Sequence, residues 1–190
     1  MNLAANSQQD PTQPIEPFLK SLLASFDLSY FPSGPSAQPQ FPNVEAYATQ
    51  FGKQLKPACA IIFDGHPLIP QAPANDARLE FQKKWLGCPL TSHQMSSYDA
   101  HLIPGTGLYS VTVNGKVRFD EGGKSRLGES ADLVQTPNGP AKPRPIWGSW
   151  YGFNMNMVID EAVVRGSEAE LINSFNYRIT YKPDDSIISI

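Results

Sequence analysis

Two Asp–His pairs are the residues of this chain whose type and spacing could support acid–base chemistry. Asp99 and His101 are two positions apart in a stretch that alternates polar and apolar residues, so both side chains would point to one side of a β-strand. A carboxylate beside an imidazole can serve as a general acid–base pair. Asp64 and His66 have the same spacing in a predicted turn. An ordinary Asp–His hydrogen bond is the commoner reason for such a pair, and only an inward-facing Asp99 and His101 would favour catalysis.

Motifs of other enzyme classes are absent from the sequence. It contains no GxSxG, HExxH, P-loop or glycine-rich nucleotide motif. The three histidines (His66, His93 and His101) are too scattered to predict a metal site, and Cys59 and Cys88 fit no zinc-ligand spacing. We therefore expect no cofactor, no bound metal and two reduced thiols, as in a nuclear or cytosolic protein.

Composition and charge restrict the class of protein further. The chain has 190 residues, 41% of them hydrophobic and 17% charged, which is enough for one domain with a core. The net charge of −3 argues against binding of nucleic acid through the overall field, although a local basic loop remains compatible with it. No apolar run reaches the roughly 18 residues of a membrane-spanning helix. The polar N-terminus lacks the apolar segment of a secretory signal.

Helices come first along the chain. We expect residues 1–13 to be a disordered lead and residues 14–190 to form a single domain. A helix is predicted to start near Pro14, with Pro17 tolerated in its first turn. Asn43 would cap a second helix over Val44–Leu55, and Asn75 or Asp76 would cap a third that ends near Leu86. Between these two helices, residues 59–63 read as a short strand that turns at Asp64 and Gly65.

Four long β-strands are predicted after the helices, and the last three alternate apolar and polar residues with a period of two. They span Thr91–Ile103, Leu108–Asp120, Trp147–Asp160 and Leu171–Lys182. Helices followed by a large antiparallel sheet indicate the α+β class, with the helices on one face of the sheet.

The last three strands each have one apolar face and one polar face. Core positions are predicted at Tyr109, Val111, Val113, Val117, Phe119, Trp147, Tyr151, Phe153, Met155, Met157, Ile159, Phe175, Tyr177, Ile179 and Tyr181. The opposite face holds Ser110, Thr112, Asn114, Ile172, Ser174, Lys182 and the candidate interface residues Lys116, Arg118, Trp150, Asn154, Asn156, Val158, Asn176, Arg178 and Thr180. Acidic residues are almost absent from this face, whereas amides and hydroxyls dominate. Because such groups are desolvated cheaply once they are hydrogen-bonded, the pattern favours a protein interface over plain solvent.

A long segment, residues 121–145, separates two strands that a short turn could have joined. Its cations are Lys124, Arg126, Lys142 and Arg144. A solvated loop and a modest RNA or ribosome contact are both compatible with this composition.

Several separated motifs, in order, resemble the family of fungal mRNA transport regulators, the small subunits of heterodimeric mRNA export receptors. The resemblance extends from about Pro14 to Ile190. Its motifs are His101-Leu-Ile-Pro-Gly-Thr-Gly, Val113-Asn-Gly-Lys-Val-Arg-Phe-Asp-Glu-Gly-Gly, Lys142-Pro-Arg-Pro-Ile-Trp-Gly, Ser174-Phe-Asn-Tyr and Tyr181-Lys-Pro-Asp-Asp-Ser-Ile-Ile-Ser-Ile.

The resemblance implies a nuclear transport factor two-like fold, in which about three helices pack in the hollow of a curved antiparallel sheet. It implies a non-enzymatic subunit that pairs, sheet to sheet, with the large receptor subunit. It also implies binding of FG-repeat nucleoporins, and passage of mRNA and the large ribosomal subunit through the pore. The protein would be found in the nucleus and at the nuclear pore complex, shuttling to the cytoplasm. The family's long loop is implicated in the ribosomal role, and Arg178 is best placed for a buried Arg–Asp pair with the partner.

Two alternatives remain open on the sequence. One is an isomerase or dehydratase for small molecules, built on the same fold and using Asp99 and His101 in its hollow. The other, which the residues favour less, is a symmetric homodimer formed through the polar face.

Overall fold

The computed structural model describes residues 12–30, 40–73, 75–122, 126–127, 146–167 and 170–186. The helices are α1 (Ile15–Phe26), α2 (Val44–Ala48) and α3 (Ala77–Leu86). The strands are β1 (Leu55–Phe63), β2 (His66–Pro67), β3 (Thr91–Ile103), β4 (Leu108–Phe119), β5 (Tyr151–Asp160) and β6 (Ile172–Tyr181), and a 3₁₀ helix spans Glu161–Arg165. The predicted disordered lead lies outside the described residues, except for its last two, which form a turn before α1.

The six strands form one curved sheet in the order β2-β1-β6-β5-β4-β3. The predicted class, α+β with three helices against a curved sheet, is confirmed. The prediction of an antiparallel sheet is wrong at one pair, since β1 runs parallel to β6. The first long strand in the chain thus pairs with the last, which no local sequence pattern could have indicated.

The helix termini follow the predicted caps, with one exception. Asn43 accepts a hydrogen bond from the backbone N–H of Ala46 at 2.7 Å, and Asp76 accepts one from that of Leu79 at 2.7 Å. The prediction that α2 continues to Leu55 is wrong, because Gly52 adopts a left-handed backbone with φ of +57° and turns the chain into β1.

Aromatic rings fill the hollow between the helices and the sheet. Phe153 stacks on Tyr177 with ring centroids 5.4 Å apart, and Tyr177 stacks on Phe63 at 5.6 Å. From the helices, Phe26 and Trp85 close the space at 5.3 Å from each other. All five rings are at most 4% exposed, so this part of the hollow is a packed core.

Two β-bulges in β6 change which of its residues face the core. Asn173 is an extra residue between the pairs Ile159–Ile172 and Val158–Ser174, so Ile172 turns inward and is fully buried. At the other end Gly152 pairs with Tyr181 while Phe153 pairs with Ile179, and Tyr181 is 62% exposed. The predicted faces of Ile172 and Tyr181 are therefore wrong, because one inserted residue reverses the alternation.

Candidate functional site

The side of the sheet that faces away from the helices carries the predicted polar face, here named the outer face. Cross-strand pairing places Asn114, Asn154 and Arg178 in one row, and Thr112, Asn156 and Asn176 in the next. The alternating burial of β4 and β5 confirms the orientation, since every second residue from Tyr151 to Ile159 is buried. The predicted interface residues that lie on the outer face within the strands are Lys116, Arg118, Asn154, Asn156, Val158, Asn176, Arg178 and Thr180.

An amide ladder runs across the centre of the outer face. Thr112 Oγ1 donates to Asn156 Oδ1 at 2.9 Å, Asn156 Nδ2 donates to Asn154 Oδ1 at 2.6 Å, and Asn154 Nδ2 donates to Asn114 Oδ1 at 2.9 Å. The neighbouring Asn176 Oδ1 is buried and accepts no hydrogen bond from the residues described. A buried acceptor left in this state costs about 1–3 kcal/mol.

Three cations, Lys116, Arg118 and Arg178, lie at one end of the outer face. The side chains of Lys116, Arg118 and Arg178 make no hydrogen bond or ion pair with any residue that the structure describes. This end of the face therefore presents positive charge to whatever covers it.

Arg118 lies between two tryptophan rings. Its guanidinium carbon is 4.9 Å from the centroid of Trp147 and 4.8 Å from that of Trp150, which are cation–π distances. The prediction that Trp147 faces the core is wrong, because the regular strand begins only at Tyr151 and Trp147 is held by a single bridge to Asp120.

The Asp–His pairs of the sequence are both on the surface. His101 Nε2 lies 3.1 Å from Asp99 Oδ2, and the two side chains are 75% and 71% exposed. They lie on the outer face opposite Ser110 and Thr112, so the inward orientation that catalysis would require is not present. His66 Nδ1 is 3.0 Å from the backbone oxygen of Asp64, which is an ordinary turn contact.

Comparison with known proteins places this geometry in a family. The profile of the family described as "Nuclear pore RNA shuttling protein Mtr2" matches residues 6–190. The chain belongs to the Mtr2 family. It is 57% identical to the mRNA transport regulator MTR2 of Candida albicans over 185 residues, which is 96% of this chain and 99% of that protein. It is 35% identical to the Saccharomyces cerevisiae MTR2 over 142 residues, covering 70% and 73% of the two chains.

Two solved structures of Mtr2 proteins have the same fold. The C. albicans Mtr2–Mex67 M domain complex matches with a TM-score of 0.79 at 57% identity, covering 93% of this chain and 100% of that one. The C. albicans Mtr2 structure matches with a TM-score of 0.78 at 55% identity, with the same coverage. The family name describes a transport factor rather than an enzyme.

This member of the Mtr2 family also has a buried polar network that its sequence did not reveal. The carboxylate of Asp27, at the end of α1, accepts hydrogen bonds from Thr91 Oγ1 at 2.8 Å and from the backbone N–H of His93 at 2.7 Å. His93 Nδ1 lies 2.5 Å from Asp27 Oδ1, and its Nε2 lies 3.0 Å from the hydroxyl of Tyr177. Asp27 and His93 are 66 positions apart, so no local spacing could have predicted the contact.

Burial and hydrogen bonding shift the pKa values of two groups in this network, Asp27 and Tyr177. Burial opposes the charged form of Asp27, but its hydrogen bonds and charge interaction with His93 outweigh that effect and lower the pKa of the carboxyl. Burial raises the pKa of Tyr177 well above its ordinary value. The His93 side chain is fully buried, and its two ring nitrogens contact Asp27 and Tyr177.

Two grooves lie beside the hollow, and Asp27 and His93 line the first whereas Asp64 and His66 line the second. One of about 650 Å³ lies between α1 and β3 and another of about 410 Å³ lies beside α3. Neither is lined by Asp99 or His101. Among the residues described, no three His, Cys, Asp or Glu side chains could hold a metal ion, and none of the helices has the length and apolar character to span a membrane.

The predicted contact loop is corrected at one residue. Arg126 is 1% exposed, and its Nε and Nη1 donate to the backbone oxygens of Trp85 and Leu28 at 3.0 and 3.2 Å. Its Nη2 donates to Thr91 Oγ1 at 2.9 Å. Burial lowers the pKa of this guanidinium. Arg126 therefore ties residues 126–127 to the core and is not exposed for RNA, whereas Lys124, Lys142 and Arg144 lie outside the described residues.

Proposed function

We propose that this chain is the non-enzymatic small subunit of a nuclear mRNA export receptor and that it heterodimerises with the large subunit through the outer face. The observation that carries the proposal is the group of unpaired cations, Lys116, Arg118 and Arg178, beside the orphaned acceptor of Asn176. The C. albicans relative, which is 57% identical, has been solved in complex with a Mex67 M domain. That complex supports a partner of the same kind here.

The chemistry of the outer face suits burial under another protein. The amide ladder has already satisfied most of the donors and acceptors of its own side chains, so covering it costs little. A partner that supplies a donor to Asn176 and acidic groups to Lys116 and Arg178 would instead gain hydrogen bonds and charge pairing. A surface that only contacts solvent would gain nothing from a buried acceptor such as Asn176 Oδ1, which accepts no hydrogen bond from the described residues.

The remaining parts of the proposed function follow from family membership. The heterodimer would bind FG-repeat nucleoporins and carry mRNA, and the large ribosomal subunit, through the nuclear pore. The chain would then be found in the nucleus and at the pore, shuttling to the cytoplasm. Lys124, Lys142 and Arg144 remain the proposed RNA or ribosome contacts, and they would act alongside other sites because isolated basic contacts are weak.

Binding to the large subunit tests the central claim. We would titrate the chain with the M domain of the large export receptor subunit from the same organism and measure the Kd by calorimetry. Arg178→Glu should weaken binding, because it places a negative charge on the outer face where the partner supplies carboxylates. Lys53→Glu, an exposed change of equal charge in the turn before β1, is the matched control and should bind as the wild type does.

Two results would count against the proposal. Absence of binding by the wild-type chain would reject the heterodimer itself. Equal weakening by the Arg178 and Lys53 variants would mean that only the overall charge matters and that the outer face is not the contact.

A further inference from the structure

In the stack of Trp147, Arg118 and Trp150, the positive charge of Arg118 lies against two aromatic rings. Arg118 Nε is buried and donates no hydrogen bond within the described residues. The two indoles lie 4.9 and 4.8 Å from the guanidinium carbon. The guanidinium thus lies at cation–π distance from both rings, and no carboxylate of the described residues forms an ion pair with it.

We propose that this stack, the Arg118 clamp, is the anchor of the heterodimer and that it binds a carboxylate of the large subunit. The inference rests on the proposed function and specifies the group that the partner must supply. A guanidinium group can donate two parallel hydrogen bonds to one carboxylate. Since Nε is buried, the carboxylate would approach the two terminal nitrogens end-on.

The surroundings of the clamp strengthen a hydrogen bond to an anion. Two indoles exclude water from the guanidinium, and charge–charge attraction grows as the local dielectric constant falls. Rotamer freedom of Arg118 is already restricted by the stack, so less entropy is lost when the partner binds. Lys116, unpaired and two residues away on the same strand face, adds to the positive potential.

Apolar side chains border the clamp, as they do at the energetic centres of protein interfaces. Ile146, adjacent in sequence to Trp147, is 66% exposed, and Tyr181, paired with Gly152, is 62% exposed. Trp, Tyr and Arg are the residue types enriched where a few side chains carry most of the binding energy. A large exposed aromatic and an isoleucine beside a charge without a counter-ion are typical of a surface that is covered in use.

Single-stranded RNA is the occupant that the observations favour less. A base would stack on a free indole face, but Arg118 already occupies one face of each ring. The net charge of −3 also lacks the long-range positive field of proteins that bind nucleic acid. The test therefore includes RNA as an outcome.

The experiment compares variants at the clamp with a neighbouring cation outside it. Arg118→Lys keeps the positive charge but removes the planar guanidinium group, and Trp150→Ala removes one of the two indole rings. Both should raise the Kd for the M domain about 30-fold or more, as expected for an interface hot spot. Lys116→Ala removes an unstacked cation and should raise it less than about 5-fold. Circular dichroism melts would establish that each variant is folded.

The partner's carboxylate is identified by a double-mutant cycle. Each Asp and Glu on the M domain is changed to Asn or Gln and combined with Arg118→Lys. Coupling of at least about 10-fold with a single acid supports the clamp, because a purely structural role of Arg118 would couple to none.

Other outcomes would refute the Arg118 clamp, and they distinguish its failure from failure of the proposed function. If the wild type binds the M domain and the Arg118 and Trp150 variants bind equally well, the clamp is not the anchor although the heterodimer stands. If those variants lose affinity for single-stranded oligo(U) and keep the M domain, the clamp is an RNA contact. If the wild type does not bind the M domain, the proposed function itself fails.

Discussion

Asp27 is predicted to be among the residues that contribute most to the stability of the fold. Its carboxylate joins the end of α1 to the start of β3 through Thr91 and through two groups of His93. In Asp27→Asn one oxygen becomes an NH₂ group, which must face either the backbone N–H of His93 or the hydroxyl of Thr91. Either orientation removes at least one hydrogen bond to a charged acceptor, at about 1.5–3 kcal/mol, and leaves a donor unpaired. We expect a loss of about 2–4 kcal/mol, or about 4–16 °C in Tm.

The direction of the pKa shift of Asp27 predicts how the stability difference between wild type and Asp27→Asn changes with pH. The folded pKa of Asp27 is lowered from its ordinary 3.8, so its contribution is fully present above the unfolded pKa and is lost as the pH falls through the folded value. The stability difference between wild type and Asp27→Asn should therefore be largest near pH 7 and should shrink below about pH 4. Other carboxylates, such as Asp160, whose pKa is also lowered, affect both proteins equally.

Urea unfolding followed by tryptophan fluorescence measures the difference. Trp85 donates to the backbone oxygen of Phe26 at 3.0 Å, and its ring lies 6.2 Å from that of His93, so its emission reports on the network. Asp99→Asn is the matched control, because this carboxylate also lies beside a histidine but is 71% exposed; it should cost less than about 0.5 kcal/mol. If the two substitutions had equal effects at pH 7, the buried tie would not stabilise the fold.

Three further perturbations test other parts of the structure. Arg126→Met removes the three hydrogen bonds that the guanidinium donates to Trp85, Leu28 and Thr91 and should lower the free energy of unfolding by about 2–4 kcal/mol; unchanged urea stability would refute the buried role. Gly115→Ala puts a Cβ 2.4 Å from the backbone oxygen of Gln94 and should cost about 1–3 kcal/mol, whereas Gly87→Ala, with 3.5 Å of clearance, is its near-neutral control in the same melts. Burial raises the pKa of Cys59 to about 12, so iodoacetamide at pH 8 should alkylate it much more slowly in the native protein than in urea; equal rates would refute its burial.

The strands could be predicted from the sequence because alternation is a local signal. Val111, Val113 and Met155 face the core as the period of two requires. The same rule fails at Ile172, because Asn173 is inserted in a bulge that the local sequence pattern does not indicate. The prediction for Trp147 is wrong for a related reason, because the alternating pattern begins at Trp147 whereas the strand begins at Tyr151.

The buried polar groups could not be predicted, because their partners are distant in sequence. The sequence alone groups Arg126 with the other cations of its loop, yet its hydrogen bonds reach Leu28, Trp85 and Thr91. A charged residue in a glycine- and proline-rich segment ordinarily stays in water, and only tertiary structure supplies three acceptors in one place. The candidate interface depended less on tertiary contacts, because the outer positions of β4 and β5 follow directly from alternation.

The position of β6 has a consequence for how the chain is synthesised. It is the last strand along the sequence, yet it lies in the sheet between β1 and β5. While the ribosome is still translating β6, β1 has no long neighbour, and the row that will hold Asn176 and Arg178 is absent. Contacts between segments this distant form slowly and leave strand edges open to wrong pairing. The outer face is therefore complete only after β6 has been synthesised, so a chaperone would have its greatest effect before that stage.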